Sequence, residues 1–112
     1  MTELEILLRI YNATPKQKIY TEEAKLLSHT RQFIDLLPGA TAVRIEAMTE
    51  RGKSDYIICY RGYFIAAELK DDIGKPTAQQ LDFIEQIKKS GGIAGICRTI
   101  YDVFQLLMLT YK

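Results

Sequence analysis

The segment Ser54 to Lys70 constrains this chain most: two β-rich runs, DYIICY and YFIAAELK, are separated by Arg61-Gly62. Aromatic and β-branched residues dominate both runs and glycine offers a positive φ, so the segment reads as an antiparallel hairpin. Both faces of both runs are largely apolar, the pattern of central strands covered on two sides. A two-residue loop also sets the register, placing Tyr60 against Tyr63, Cys59 against Phe64 and Asp55 against Glu68. Directly opposed Cβ atoms lie ~4.5–5.5 Å apart, a separation at which like charges are destabilising. The strand period of two then brings Lys70 onto the face of Glu68.

Three readings compete for this Asp, Glu and Lys cluster. The hairpin end frays into solvent and the charges are wet; or Lys70 pairs with Glu68 while Asp55 caps the turn after Gly52; or the carboxylates hold a divalent cation. Hard oxygen donors at that separation suit Mg²⁺ or Mn²⁺, which keep waters for a phosphate substrate. In that case Lys70 orients or helps deprotonate a water and stabilises charge on the attacked phosphate.

The remainder of the chain alternates helix and strand signals. Thr2 and Glu5 have capping-box spacing before a helix over residues 2–12, with Leu4, Leu7, Leu8 and Tyr11 as its apolar stripe. A second helix is expected from Thr21 to Leu37, ended by Pro38-Gly39, with Leu27, Thr30, Ile34 and Leu37 facing a sheet. TAVRIEAM alternates Val43, Ile45 and Ala47 against Arg44 and Glu46, a strand with one wet face. Thr77 caps a helix to about Ser90, with Leu81, Ile84 and Ile87 inward and Gly91-Gly92 after it; Ile93 to Cys97 is a short strand, and Thr99 opens a helix to about Leu109. The order is α, α-β-β-β-α-β, α. One domain is expected over 1–112, with 1–19 an N-terminal helical extension and 20–110 the core.

At 112 residues and 47% hydrophobic, the chain is long enough for one core without a metal or disulfide staple. Cys59 and Cys97 lie in apolar runs without metal spacing and read as buried reduced thiols. His29, the single histidine, reads as a helix-face residue. No apolar stretch approaches the ~20 residues of a membrane span, and MTELEILLRI opens with acidic residues unlike a signal peptide. A cytoplasmic or nucleoplasmic protein, not a secreted one, is expected. The balance of 15 Lys+Arg against 14 Asp+Glu excludes a generic nucleic-acid coat, so nucleic acid would be met through a local patch.

Gly52-Lys53-Ser54-Asp55, the run through Glu68-Leu69-Lys70, GKPTAQQ and GGIAGICRTIYDVFQLL together resemble the virus-type replication-repair nuclease (VRR-NUC) domain, a branch of the PD-(D/E)XK nucleases. The likeness covers Thr21 to Leu107 and implies an α/β, restriction-endonuclease-like αβββαβ core with a mixed central sheet flanked by helices. It implies that Asp55 and Glu68 bind the metal, that Lys70 serves the water, that Gln80 completes the site and that the Leu69 carbonyl is a further ligand. Thr77 and Gln80 also form a capping box, so Gln80 has a structural role open to it. Ser54 stands where the family commonly has Pro, which bears on turn rigidity. The family also places an acid of the first core helix toward the metal; Glu23 is preferred over Glu22, both being favourable first-turn charges in any case, with Glu46 as a substitute.

Arg44, Arg51, Lys53, Lys75, Lys88 and Lys89 are the cations expected to flank the cleft and touch phosphates without reading sequence. The last helix, IYDVFQLLML, is apolar around too much of its circumference for a surface helix. Either the N-terminal helix or a second copy should cover it, the latter giving a homodimer. The expectation is a Mg²⁺- or Mn²⁺-dependent DNA endonuclease. The resemblance adds selectivity for branched or Holliday-junction-like DNA. The alternative is a catalytically inactive nuclease-like module that binds DNA or protein.

Overall fold

Arg61 and Gly62 both adopt positive φ, 54° and 82°, which gives the hairpin turn the twist its flanking strands need. In this computed structural model, which describes residues 1–45 and 56–111, β2 (Tyr56–Tyr60) and β3 (Tyr63–Leu69) pair as Tyr60 with Tyr63, Cys59 with Phe64 and onward to Tyr56 with Ala67. That is the register expected from the loop length. β1 (Ala40–Arg44) joins β2 antiparallel and β4 (Ile93–Cys97) joins β3 parallel, giving the order β1-β2-β3-β4.

The helices are α1 (Glu3–Ala13), α2 (Glu23–Leu36), α3 (Ala78–Lys89) and α4 (Ile100–Met108), with a closing 3₁₀ turn at Leu109–Tyr111. Thr2 and Glu5 form the expected capping box of α1, Thr77 and Gln80 that of α3, and the Thr99 hydroxyl caps α4. One sheet face carries Tyr56, Ile58, Tyr60, Ile65, Leu69 and Cys97, which join α1, α2 and α4 in the main core through Leu7, Leu26, Phe33, Val103 and Leu107. On the other face a smaller cluster of Ala66, Ala94 and Ile84 is covered by α3.

The two faces are therefore not equally covered, which corrects the expectation of strands sealed on both sides. Cys97 is buried but Cys59 is exposed, because Cys59 lies near the hairpin tip on the face that α3 covers only in part. Val43, expected inward, is 57% exposed; its partner is Ile57, while Ala40 and Ala42 face the core opposite Tyr60 and Ile58. Ala47 and Glu46 lie outside the described residues. In the helices, Leu8 and Leu81 are exposed and Leu27 is only half-buried. The inward positions are Leu7 with Ile10, Leu26 with Phe33, and Ile84 with Phe83.

α4 packs on α2 and β4, and α1 covers only part of it, leaving Tyr101 and Leu109 exposed. Tyr11 stacks on Phe104 with ring centroids 4.4 Å apart, and Leu7 is fully buried. At the hairpin tip the Arg61 guanidinium meets Glu3 at 3.0 Å and lies 4.0 Å over the Tyr111 ring, tying both chain ends to the turn. Where α3 turns into β4, a Cβ on Gly92 would stand 2.7 Å from Ile87 Cγ2, so only glycine allows this close approach.

Candidate functional site at the ends of β1, β3 and β4

β1, β3 and β4 run the same way, so Arg44, Glu68, Lys70 and Arg98 all come to one edge of the sheet, opposite the hairpin tip. Glu68, next to the last residue of β3, has 0% exposure and lies beside Ile96 on the face that α3 covers. An apolar strand flanked by Ala67 and Leu69 carries this carboxylate out of water, an arrangement that favours a nearby cationic charge. Lys70 follows at once, half-buried, with its amide donating to the Cys97 carbonyl at 3.0 Å. Peptide groups alternate along a strand, so the Leu69 carbonyl turns the other way, toward β2.

The loop after Lys70 is held from several directions. The Asp71 carboxylate accepts from the amides of Ile73 at 3.1 Å and Gly74 at 2.6 Å. A Cβ at Gly74 would stand 3.0 Å from Asp71 Oδ1, so glycine eases the close approach of that carboxylate to the Gly74 amide. The Arg98 guanidinium donates to the Asp71 carbonyl at 2.6 Å. Its main-chain amide donates to Asp102 Oδ2 at 2.8 Å, and the Asp72 amide donates to the Tyr20 carbonyl at 2.9 Å. Tyr20 is fully buried, its hydroxyl 2.6 Å from His29 Nδ1 and accepting from the Gln17 amide at 3.1 Å.

Asp55, Arg51, Lys53 and the substitute Glu46 lie outside the described residues, and the described ladder stops at Tyr56–Ala67, one rung short of Glu68. Glu22 is the N-cap of α2 without a side-chain cap bond, and Glu23 is its first residue; both are exposed. Gln80 is half-buried, and its Oε1 accepts from the Thr77 amide at 2.8 Å, so the capping role is realised. Lys75 is exposed in the loop between β3 and α3. Lys88 and Lys89 are not brought to this edge: they occupy the last turn of the 12-residue α3, about 15–17 Å along its axis from Ala78. There Lys88 pairs with Glu85 at 3.7 Å, and both lysines complement the helix dipole.

Among the described residues no group of three or more His, Cys, Asp or Glu gathers to hold a metal. The described oxygen donors are the Glu68 carboxylate and the Leu69 carbonyl, hard ligands of the kind Mg²⁺ and Mn²⁺ take. Burial, reinforced by the negative charges of Asp102 and Glu68, pushes the Cys97 thiol well above its ordinary range, so it is not a nucleophile. Arg98, Asp102 and Tyr20 were not singled out from the sequence. The signal for Arg98 was available only as a cation between the β4 strand and the Thr99 cap, at the edge that receives Lys70.

A mixed four-stranded sheet flanked by helices, with an acid and a lysine leaving the end of its third strand, is the restriction-endonuclease-like α/β fold. The chain is similar to a solved structure described as a VRR_NUC domain, with a TM-score of 0.64 and 22% sequence identity over 77% of this chain and 94% of that one. It has the fold of that domain. A second solved structure, a VRR_NUC domain protein, aligns at a TM-score of 0.45 and 20% identity over 98% of this chain and 88% of that one. No protein-family model matches the chain and no curated protein does. Among the described residues no helix is long and apolar enough to cross a membrane.

Proposed function

We propose that the chain is a divalent-metal-dependent DNA endonuclease that hydrolyses phosphodiester bonds. The observation that carries this reading is the fully buried Glu68 beside Lys70 at the open edge of the sheet. Mg²⁺ or Mn²⁺, held by Glu68, the Leu69 carbonyl and Asp55, would supply Lewis acidity toward the scissile phosphate. Lys70 orients the attacking water and offsets charge developing on the phosphate. Gln80 offers its amide nitrogen to the same region. Arg44 and Lys75 meet phosphates on either side of the site and position the backbone without reading bases. A preference for branched DNA belongs to the same reading and is carried by the likeness to the VRR_NUC domain. A homodimer through the apolar last helix belongs to the same reading, since α1 covers that helix only in part and Leu109 stays exposed.

The test is a cleavage panel of four-way junction, flap, nicked, single-stranded and duplex DNA with Mg²⁺ and with Mn²⁺. Glu68→Gln and Lys70→Ala are run beside the wild type, and circular dichroism monitors the fold. Metal-dependent cleavage that falls by roughly 10²–10⁴-fold in Lys70→Ala supports the assignment. Undiminished cleavage in either folded variant overturns it, and DNA binding without cleavage of any substrate identifies an inactive binding module.

A further inference from the structure

We infer that a pocket beside the nuclease edge binds one unpaired deoxynucleotide, with its base against Tyr101 and its phosphate at Lys18. The inference takes its choice of ligand from the nuclease reading and is otherwise argued from the pocket itself. A cavity of about 470 Å³ opens between the end of α1, the connection after it and the start of α4, lined by Tyr11, Lys16, Lys18, Thr99 and Tyr101 among others. That volume falls within the ~300–1,000 Å³ usual for small-molecule sites.

Its position links it to the candidate site. Thr99 follows Arg98, whose guanidinium holds the Asp71 carbonyl, and the connection that supplies Lys18 continues to Tyr20, whose carbonyl receives the Asp72 amide.

Its lining selects the ligand. Tyr101 is 53% exposed yet fixed from behind, 6.5 Å from Tyr11 and 6.3 Å from Phe104 between ring centroids, with Tyr11 stacked on Phe104. An outward ring on a rigid aromatic support is a platform for a base, and such stacking tolerates any base because each has a π-face. The Lys16 ammonium is pinned by the carbonyls of Tyr11 at 2.7 Å and Thr14 at 3.1 Å, and lies 4.6 Å from the Tyr11 ring centroid. It contributes positive charge from a fixed place, and Lys18 adds an exposed cation. Among the described residues the lining contains no acid, and Asp102, in the first turn of α4, turns its carboxylate to the Arg98 amide. The mainly apolar lining gives a bare anion little to contact, and the two lysines disfavour a plain hydrocarbon. A nucleotide satisfies both, and its base must be unpaired to present a face to the ring.

The pocket is read directly by titrating the full chain with deoxyadenosine monophosphate, without divalent cation, in amide NMR. Shifts are expected at Lys18, Thr99 and Tyr101, absent with inorganic phosphate alone and lost in Tyr101→Ala. Tyr101→Ala should also weaken binding of a single-stranded oligonucleotide roughly 5- to 50-fold, as expected for one stacked base, while Tyr101→Phe retains it. No shifts, or shifts confined to Lys70 and Arg98, overturn the inference, as does equal oligonucleotide binding by Tyr101→Ala. A chain that binds the nucleotide here yet cuts no DNA keeps this inference and loses the nuclease reading; one that cuts DNA without these shifts does the reverse.

Discussion

The Arg98 guanidinium holds the main-chain carbonyl of Asp71 at 2.6 Å, one residue beyond Lys70. One residue earlier on each strand, the Lys70 amide bonds the Cys97 carbonyl at 3.0 Å. Two consecutive ties thus join the ends of β3 and β4, and Lys70 leaves the sheet from a braced main chain. The brace is charge-assisted, which makes it stronger than an ordinary amide contact.

Arg98 is accordingly expected to act as a positioning residue. Hydrogen bonds to charged groups contribute about 1.5–3 kcal/mol, so Arg98→Ala should lower kcat for DNA cleavage by about 10- to 100-fold. The KM for DNA should change little, and Arg98→Lys should restore part of the rate. Steady-state kinetics decide it: a rise in KM with kcat intact would show instead that Arg98 only contacts phosphate.

Acid should weaken the fold through His29. Desolvation, and then the Lys25 charge, hold its pKa below the ordinary value, and its Nδ1 lies 2.6 Å from the Tyr20 hydroxyl. Above the unfolded value, about 6.5, both states are neutral and the contact contributes fully. As pH falls through that value the unfolded chain takes up the proton first, so stability declines toward acid. Urea midpoints at pH 7.5 and 5.5 should show the decline in the wild type and a flatter response in His29→Gln. Tyr20→Phe should cost about 1 kcal/mol at pH 7.5.

Gln80 offers a clean separation of two roles. Its Oε1 closes the capping box on the Thr77 amide, a function that glutamate serves equally well. Gln80→Glu should therefore leave the melting temperature near the wild-type value, whereas Thr77→Ala should cost about 1 kcal/mol. If the amide nitrogen serves the site, Gln80→Glu loses metal-dependent cleavage while remaining folded; unchanged cleavage would confine Gln80 to capping.

Much of the framework was legible because it is local. The two-residue Arg61-Gly62 turn allows one register, so the pairing of Cys59 with Phe64 followed from counting, and the capping boxes at Thr2 and Thr77 formed as spaced. Glu68 stood out for a similar reason, since a carboxylate in an apolar strand conflicts with its neighbours and calls for an explanation.

What remained hidden depends on which face a neighbour covers. Val43 and Cys59 are apolar yet exposed because α3 lies over β3 and β4 and leaves the β1 side of that face open, a matter of helix placement that no strand periodicity encodes. The last helix announced that it needed cover, but only packing showed that α2, the sheet and Tyr11 of α1 provide part of it and leave Tyr101 outside. Arg98 is 27 positions from Asp71 in the sequence, and the two meet because β3 and β4 lie parallel and in register, Leu69 beside Cys97. By itself the sequence determined the elements, the hairpin register and the acid-lysine pair, all set by interactions between near neighbours along the chain. The tertiary structure decided which cations reach the edge, what braces Lys70 and where a pocket opens, because those depend on contacts between segments that only the folded sheet brings together.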